Sequence, residues 1–411
     1  MTVTVLHVAQ PREGGVAGYV LAACLDQLAR GWNVTVACPD GGLLAAELAS
    51  AGVPRLRWPA VRSPGAEALG ETLRLRGIIE RVRPDVLHLH AAKAGLAGRL
   101  GRAQGRPVLF QPHGWSWLAV EGRLRQATLA WERAAARWTD LFLCVGDAEA
   151  EQGRKHGVLG DAGVELGRRH GVLGDAEAEQ GRKHGVLAAR GRTPARRGRF
   201  AVVRNGVDLT RFPTASEHDR VEARHTLGLD PGAPLAVCVG RVTRQKGQDV
   251  LLAAWPEIRR RCPAARLALV GDGDLLPALR ARPEPGVRYA GASTDVRRWL
   301  AAADVVVLPS RWEGLSLTVL EAFASGRGVV VSDIPGLAEV TGPEVGARVP
   351  AGDPVALAVA VADRLAGADL TRREGAAAAR HAATFDLRLT WDRLAAETTA
   401  ALRGKKELAT W

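Results

Sequence analysis

The chain has 411 residues, of which 47% are hydrophobic, and a formal net charge of +12. This length exceeds what a single core of common size requires, so we expect two domains. The positive charge favours polyanions or anionic membranes as partners in general terms. However, the basic residues are spread along the chain and no nucleic-acid-binding motif accompanies them. We therefore expect no nucleic acid partner.

The five cysteines are isolated, and their spacing matches neither a metal site nor a disulfide framework. Reduced thiols in a cytoplasmic protein are the better interpretation. A strand pattern begins directly after Met1, which leaves no room for a signal peptide. No apolar run approaches the length of a membrane span. The sequence therefore predicts a cytoplasmic location.

The first half of the chain alternates between strand and helix patterns. Apolar runs predict strands at 3–9, 34–38, 86–90, 107–111 and 141–145, with helices at 16–30, 43–51, 69–83 and 92–102. This alternation predicts an α/β structure, in which a parallel sheet has helices on both faces. Ligands of such sheets bind beyond the carboxyl ends of the strands.

The same pattern restarts after residue 200. Strands are predicted at 235–239, 266–270, 287–289, 305–309 and 329–332. Two successive units of this kind predict two Rossmann-like, doubly wound domains that face each other across a cleft. We place the N-terminal domain at 1–195 and the second domain at 200–385. A helix within 386–411 is expected to return to the N-terminal domain.

Residues 146–187 hold three copies of one 14-residue unit, which begin at Gly146, Gly160 and Gly174; the first and third are identical. Each copy starts with an Asp suited to N-capping and carries acidic residues early and basic residues late, as short helices do. Units this short bury little, so we do not predict a solenoid. A tandem duplication of one surface helix explains them, and we expect their histidines to bind no metal.

Two glutamates, Glu313 and Glu321, follow the fourth predicted strand of the second half. Gly314 permits a tight turn, Ser316 can cap, and a helix opens at Leu317. A strand, a turn and a helix N-terminus present backbone N–H groups to an anion. Two carboxylates beside such a site suit a ligand with hydroxyl groups on either side of a phosphate, such as a nucleotide sugar. The alternative is one loop glutamate and one solvated helix glutamate.

Arg241 and Lys246 bracket the loop that follows the first strand of the second half. Two cations at the carboxyl end of a strand can neutralise a diphosphate and stabilise it as a leaving group. Ordinary exposed loop charges are the alternative. Arg244, which lies between them, is expected to be solvated.

Two further candidates lie in the first half. Residues 14–18, Gly-Gly-Val-Ala-Gly, open the first helix, where glycines let a phosphate approach the backbone. They do not complete a dinucleotide-binding pattern, and a turn chosen for packing is the alternative. His113 ends a strand, where a histidine can reach a ligand, although a lone histidine is more often structural. His88 and His90 end another strand and are weaker candidates.

Asp272-Gly273-Asp274 superficially resembles an Asp-x-Asp pair that holds a divalent metal on a nucleotide sugar. It follows a predicted strand and precedes a helical pattern, so we interpret it as a turn and N-cap. We therefore predict no metal site. Asn205-Gly206-Val207-Asp208 is interpreted as a turn with a capping or hinge role.

Taken in order, these pieces resemble glycosyltransferase family 4 of bacterial type, which are retaining enzymes of the GT-B fold. The resemblance runs from about Val3 to about Phe385. The motifs that carry it are Gly14-Gly15-Val16-Ala17, Pro112-His113-Gly114, Asn205-Gly206-Val207-Asp208, Gly240-Arg241 with Gln245-Lys246-Gly247, and Leu269-Val270-Gly271-Asp272-Gly273. Glu313 and Glu321 match the Glu-x7-Glu signature of the family, which is the most specific of the motifs.

The resemblance implies a transfer of sugar from a nucleoside diphosphate sugar to the hydroxyl of an unknown acceptor. It implies that the transfer retains the configuration of the sugar and that the enzyme requires neither a metal nor another cofactor. It also implies that 1–195 is the acceptor-side domain and that 200–385 is the nucleotide-sugar-binding domain. The catalytic residues implied are His113, Glu313, Arg241 and Lys246. The residues implied to bind the donor nucleotide and diphosphate are Gly15, Arg241, Lys246, Gly271, Leu315, Ser316, Leu317, Thr318 and Glu321.

Residues 116–138 bear on the acceptor, because they combine tryptophans with arginines in a helical pattern. A basic amphipathic helix could rest on a membrane that holds a lipid acceptor, which would place the protein at the inner face of that membrane. Packing of the tryptophans in the core is the favoured alternative.

Two other functions stay open: a GT-B relative that epimerises or phosphorolyses sugars, and a catalytically silent scaffold that uses the repeats.

Overall fold

The structure is a computed structural model, and it describes residues 2–61, 65, 67–101, 105–160 and 198–409. The second and third copies of the 14-residue unit lie outside the described residues, apart from Gly160. The chain divides into two compact units. The first takes in the described residues of Met1–Cys144, Ala150–Val203 and Ala395–Trp411, and the second takes in Val145–Glu149 and Arg204–Leu394.

The first unit contains a seven-stranded sheet with the order β3-β2-β1-β4-β5-β6-β7. Its strands are β1 Thr4–Ala9, β2 Asn33–Cys38, β3 Arg55–Arg57, β4 Val86–His90, β5 Val108–Gln111, β6 Leu141–Cys144 and β7 Phe200–Val202. The helices between them are α1 Gly15–Ala29, α2 Gly42–Ser50, α3 Ala68–Val82, α4 Ala91–Leu100 and α5 Gly122–Ala135. The strand order reverses between β1 and β4, which is the topological switch point of a doubly wound sheet.

The second unit contains a six-stranded sheet with the order β10-β9-β8-β11-β12-β13. Its strands are β8 Leu235–Val239, β9 Arg266–Val270, β10 Val287–Gly291, β11 Val305–Leu308, β12 Val329–Ser332 and β13 Gly346–Val349. Its helices are α7 Glu217–Thr226, α8 Gln248–Arg261, α9 Leu276–Arg280, α10 Val296–Ala302, α11 Leu317–Ala324, α12 Pro335–Ala338, α13 Pro354–Ala366 and α14 Ala368–Ala382. The switch point lies between β8 and β11.

The side chains of β8 show why these strands are continuous apolar runs. Val237 and Val239 belong to one buried cluster, whereas Ala236 and Cys238 belong to another. Because successive side chains of a strand point to opposite faces, both faces of the sheet are covered. The strand pairings of both described sheets are parallel. The predicted α/β class with two Rossmann-like domains is therefore confirmed.

The sequence reasoning missed the strands β3, β7 and β13. Each has three or four residues. Two of them, Arg55–Arg57 and Gly346–Val349, contain arginines that interrupt the apolar signal. Strands this short gain their stability from pairing with a neighbour, so local pattern does not reveal them.

The first copy of the 14-residue unit forms α6, Asp147–Lys155, with acidic residues in its first turn and basic residues in its last. The expected capping role of Asp147 is wrong, because Asp147 is already helical. Glu339 supplies the cap, since its carboxylate accepts from the backbone N–H groups of Asp147 at 2.9 Å and Ala148 at 2.8 Å. A Cβ at Gly146 would lie 2.7 Å from that carboxylate, so a larger residue there would have to displace the Glu339 side chain.

The last helix, α15, spans Leu387–Ala409. Its residues up to Leu394 cluster with the second unit, and those from Ala395 onward cluster with the first. At its start, the backbone of Leu387 donates to Val207, and Val207 donates to Phe385. The turn at Asn205-Gly206-Val207-Asp208 is thereby joined to the beginning of this helix.

Candidate functional site

The loops that follow β8, β9 and β11 lie at one edge of the second sheet. These three strands are neighbours and run parallel, so their carboxyl ends adjoin. Lys246 belongs to the loop after β8, and Glu313 belongs to the loop after β11. The two residues therefore flank the topological switch point, where ligands of such sheets bind.

Lys246 and Glu313 form an ion pair at this edge. The Lys246 Nζ lies 2.5 Å from the Glu313 Oε1, and both side chains are largely buried. The Ser310 hydroxyl donates to the same carboxylate oxygen at 2.8 Å. A charge-assisted bond of this length holds both groups in fixed positions. The sequence predicted both residues for the site but did not predict that they contact each other.

Arg241, the second predicted cation, is exposed at the start of the same loop. Its guanidinium donates to Gln245 at 3.3 Å, and its backbone carbonyl accepts from Gln248 at 3.0 Å. Gln245 in turn donates to the carbonyl of Trp312 at 3.0 Å. This network joins the β8 loop to the β11 loop, and the Arg241 side chain is exposed at the surface beside it.

The N-terminus of α11 lies beside this pair. Ser316 occupies the N-cap position in an extended conformation, but its side chain makes no capping bond, so the predicted Ser316 cap is wrong. Helix N-termini without a side-chain cap leave N–H groups for other acceptors. The preceding carbonyl, that of Leu315, accepts from the Asn205 side chain at 2.7 Å. Asn205 therefore fixes the turn that contains Leu315 to Thr318, a role that its motif did not reveal.

Glu321 lies in α11, one turn after Leu317. Burial raises the pKa of Glu321 to about 7, while the charges of Arg211 and Lys246 act in the opposite direction. A carboxyl group with this pKa changes its protonation state near neutral pH, so its ability to accept hydrogen bonds depends on pH. The charge of Arg211 near Glu321 was not predicted from the sequence, because the two residues are far apart in the chain.

Two glycines allow the backbone segments at this edge to touch. Gly247 has φ +69°, and a Cβ there would lie 2.0 Å from the carbonyl oxygen of Pro309. A Cβ at Gly336 would lie 1.8 Å from the carbonyl oxygen of Gly314. Both contacts hold the Glu313 loop against its neighbours, and neither tolerates a side chain. Gly336 was missed, because it lies outside the recognised motifs.

Gly271 begins the turn after β9, and Asp272 follows it. The Asp272 carboxylate accepts from the backbone N–H of Gly273 at 2.7 Å. The predicted turn is present, but the predicted N-cap is wrong, because the N-cap of α9 is Leu275 and no side chain caps that helix in the described structure.

In the first unit, the glycine-rich turn lies between β1 and α1. Gly14 is the N-cap with φ +79°, and α1 begins at Gly15 without a side-chain cap among the described residues. The first N–H groups of α1 therefore have no side-chain cap among the described residues, which is compatible with an anion site. Gly15 occupies the position that the sequence predicted.

His113 follows β5 and belongs to a cluster of four histidines. It has a positive φ of 53°, which is unusual for a residue other than glycine. His7 lies in β1, while His88 and His90 lie in β4, which pairs with β1. The ring of Tyr19, from α1, packs edge-on against His113 at 5.0 Å between centroids. The sequence singled out His113 and, as weaker candidates, His88 and His90, but neither His7 nor Tyr19.

Burial controls the charge of these histidines. It lowers the pKa of His113 to about 3 and that of His7 to about 4. It also lowers the pKa of His88 and of His90 well below the ordinary value. All four imidazoles are therefore neutral at pH 7. Among the described residues, His7, His88 and His90 also form a group whose ring nitrogens lie within 4.8 Å of one another.

The predicted amphipathic segment of the first unit contains α5. Trp117, which precedes it, is fully buried, whereas Trp131 and Trp138 are half-buried, with their ring centroids 6.0 Å apart. Packing in the core, the favoured interpretation, is therefore confirmed for Trp117 and not for Trp131 or Trp138. Arg123, Leu124 and Arg125 are exposed on the same helix. Across the part of the chain that the structure describes, no helix has both the length and the apolar character needed to cross a membrane.

Comparison with family models matches both units. Residues 14–163 match the glycosyl transferase 4-like domain. Residues 233–366 match the glycosyl transferases of group 1. The first match includes the glycine-rich turn and His113, and the second includes Lys246, Glu313 and Glu321.

The curated relatives are similar over part of the chain. The D-inositol 3-phosphate glycosyltransferase of Segniliparus rotundus is 35% identical over 218 residues, which are 49% of this chain and 47% of the relative. The lipopolysaccharide core biosynthesis mannosyltransferase LpsB of Rhizobium meliloti is 35% identical over 153 residues, which are 34% of this chain and 43% of the relative. The chain thus spans about half the length of the curated relatives that it matches.

The solved structures are similar over almost the whole chain. HepE from Anabaena, in complex with UDP and glucose, gives a TM-score of 0.73 at 19% identity and covers 97% of this chain and 99% of its own. Sucrose-phosphate synthase from Thermosynechococcus elongatus gives a TM-score of 0.75 at 19% identity, with the same coverage. At this identity the likeness concerns the fold.

Proposed function

The chain belongs to the group 1 and 4-like glycosyltransferases and has the GT-B fold; we propose that it transfers a sugar from a nucleoside diphosphate sugar to an acceptor hydroxyl. The observation that supports this reaction most is the cluster at the switch point of the second sheet. It combines the Lys246–Glu313 pair with the uncapped N-terminus of α11 and with Glu321. A diphosphate between two sugars needs these three features: a cation, N–H donors and acceptor carboxylates.

In the proposed reaction, Lys246 and Arg241 neutralise the departing diphosphate, which lowers the barrier to breaking the bond between the anomeric carbon and the phosphate oxygen. The N–H groups from Leu315 to Thr318 bind the phosphates, next to Gly271. Glu321 accepts hydrogen bonds from the ribose hydroxyls, and Glu313 accepts from the donor sugar. Glu313 contacts Lys246 directly, so it also sets the position of that ammonium group.

We assign retention of configuration to the transfer. The acceptor oxygen bonds to the anomeric carbon on the face that the diphosphate leaves, and the acceptor proton passes to an oxygen of the departing diphosphate. Neither glutamate serves as a general acid in this scheme. We also assign Gly15 to the donor diphosphate and His113 to the donor sugar. Proton NMR of the product formed in the first minutes reports the anomeric configuration, and inversion would contradict the scheme.

We propose that transfer needs no metal, because the ammonium group and the N–H donors supply the charge that a metal would otherwise supply. The rate should stay unchanged after dialysis against EDTA and should not rise on addition of Mg²⁺ or Mn²⁺. A rate that falls with EDTA and returns with one of these ions would contradict this.

The first test is a screen of nucleoside diphosphates by thermal shift, followed by a transfer assay with the sugar nucleotides that bind. Release of nucleoside diphosphate should require an acceptor. Glu321→Ala should weaken donor binding, because the ribose hydroxyls lose their acceptor. If Glu321→Ala and Lys246→Ala both left transfer from every nucleotide sugar unchanged, the assignment of the donor site would be wrong.

For the acceptor, we propose a sugar, a lipid-linked sugar or another small molecule, presented in part at an anionic membrane surface. Arg123, Leu124 and Arg125 of α5 supply exposed cations and an apolar side chain. The protein should sediment with anionic liposomes at low salt, and Arg123→Ser with Arg125→Ser should abolish this. Arg297→Ser with Arg298→Ser, at two exposed positions of α10 in the second unit, is the matched control. No retention by liposomes would overturn the membrane contact.

A further inference from the structure

We infer that Gln27 fixes the tautomer of His113 through His7 and His90, so that His113 offers the lone pair of its Nδ1 to a ligand. The identity of that ligand, a hydroxyl group of the donor sugar, rests on the proposed function; the tautomer itself does not. Gln27 and His7 thereby become positioning residues, although neither belongs to a recognised motif.

Three hydrogen bonds connect these residues in one line. The Gln27 Oε1 lies 2.8 Å from the His7 Nε2. The His7 Nδ1 lies 2.9 Å from the His90 Nε2. The His90 Nδ1 lies 3.1 Å from the His113 Nε2. Gln27, His7 and His90 are at most 1% exposed, so water does not replace the first two of these bonds.

The first bond determines the direction of the other two. A neutral imidazole has one N–H donor and one acceptor nitrogen, and an amide oxygen only accepts. The His7 Nε2 must therefore carry the proton, which leaves the His7 Nδ1 to accept from the His90 Nε2. The His90 Nδ1 is then an acceptor, and the His113 Nε2 must donate to it.

The surroundings keep the chain of histidines neutral, which this reasoning requires. Burial lowers the pKa of each member well below 7. Two further rings pack against His90: that of Tyr19, with 6.0 Å between ring centroids, and that of His88, with 4.0 Å. Neither ring is charged at pH 7. The proton order is thus set by hydrogen bonds rather than by charge.

The consequence concerns the Nδ1 of His113. With the proton on Nε2, Nδ1 is an acceptor, and it makes no hydrogen bond with the part of the chain that the structure describes. His113 itself is only half-buried. A neutral acceptor at this place can accept a bond from an O–H group of a sugar, but it cannot donate to a phosphate or repel a cation.

A metal held by His7, His88 and His90 is the competing explanation for the cluster. It is less favoured, because both nitrogens of His7 and both nitrogens of His90 already take part in hydrogen bonds. A metal would take one ring nitrogen of His7 and one of His90 as lone pairs, which removes at least one of these hydrogen bonds. Of these three residues, His88 alone has a buried ring nitrogen, Nδ1, without a partner.

The test is long-range 15N–1H correlation NMR of the full chain labelled at histidine, recorded without any substrate. His113 should give a protonated Nε2 and an unprotonated Nδ1, with its signals assigned by their loss in His113→Gln. A His113 that carries its proton on Nδ1 would overturn the inference. Zinc or another metal at one equivalent per chain in the purified protein, lost in His88→Gln, would also overturn it.

The substitution Gln27→Leu removes the terminal acceptor, and a second tautomer of His113 should then appear at a detectable population. Gln27→Met serves if the leucine variant does not fold. The matched control is Gln111→Leu, because Gln111 accepts from His88, which lies outside the line of bonds. The control should leave His113 unchanged. A wild-type tautomer in both Gln27 variants, or an altered one in the control, would contradict the assignment.

Kinetics then test the link to the sugar. In Gln27→Leu, kcat with the sugar nucleotide should fall about three- to tenfold, the effect of one misdirected hydrogen bond. The affinity for the nucleoside diphosphate alone should not change. If no sugar is transferred by the wild-type protein, the proposed function fails, while the NMR result still decides the role of Gln27. An unchanged kcat beside a changed tautomer would remove the link to the sugar.

Discussion

The two sheets carry polar clusters at equivalent places, and the clusters differ in charge. In the first sheet, His90 and the glycine-rich turn flank the switch point between β1 and β4, and the histidines there are neutral. In the second, Lys246 and Glu313 flank the switch point between β8 and β11 as an ion pair. The same doubly wound sheet thus carries a neutral polar cluster in the first unit and a charged one in the second.

The difference follows from what surrounds each cluster. The histidines contact one another, a glutamine and a tyrosine in the interior of the first unit, so burial favours their neutral forms. Lys246 and Glu313 compensate each other, which lets both stay charged although they are largely buried. A neutral cluster suits sugar hydroxyls, whereas a charged cluster suits a diphosphate.

The largest expected effect comes from removing the cation of the charged cluster. Lys246→Ala should lower kcat/KM at least about 100-fold, which corresponds to ~3 kcal/mol of lost stabilisation of the leaving diphosphate. Steady-state kinetics with saturating acceptor measure this. Arg244→Ala is the matched control, because Arg244 is an exposed cation of the same loop and has no proposed role. Equal losses in the two variants would show that the loop acts only through its general charge.

The next effect concerns Glu321 and pH. Its pKa is raised to about 7, so the carboxylate that accepts from ribose exists mainly above pH 7. In the wild type, kcat/KM for the donor should rise from pH 6 to pH 8. Glu321→Gln should flatten this rise and lower the value at pH 8 about tenfold, as loss of a hydrogen bond to a charged group does. A profile that still rises in Glu321→Gln would assign the titration to another group.

The same substitution should change stability with the matching sign. A carboxyl group whose pKa is raised on folding supports the folded state below its unfolded pKa, and this support is lost as the pH rises through 7. Glu321→Gln should therefore raise Tm relative to the wild type more at pH 8 than at pH 5.

His113→Gln is the contrasting variant. The pKa of His113 is lowered to about 3, so this substitution should lower the rate without altering the pH dependence between 6 and 8.

The sequence predicted the strands well where every residue of the strand is apolar and buried in the core. Strands such as Leu235–Val239 and Val329–Ser332 are buried along their whole length, so each residue contributes to the apolar signal. It failed where stability comes from partners distant in the chain. The cap of α6 is supplied by Glu339, which is 191 residues away from Ala148, and no local pattern reveals such a partner.

The candidate site residues that belong to sequence motifs could be predicted from the sequence. Glu313, Glu321 and Lys246 were identified because residue type and position after a strand suffice to suggest an anion site. Asn205 bonds to the turn at Leu315, and Gln27 bonds to His7, through tertiary contacts that join separate elements. Such positioning residues have no fixed spacing from the groups that they orient, so sequence alone does not identify them.

The smallest expected effect comes from the repeated unit, which belongs to neither cluster. Gly160 donates to Gly198 at 3.0 Å, and Gly198 donates to Val158 at 3.0 Å, so the chain leaves and re-enters the first unit at adjacent points. Deleting 160–187 puts Ala188 in the place of Gly160 and removes the second and third copies, so we expect the free energy of unfolding to change by no more than about 1 kcal/mol. Thermal unfolding and the transfer rate measure the outcome, and the rate should not change. A lower Tm would show that the second and third copies stabilise the fold, and a lost rate would give them a part in the reaction.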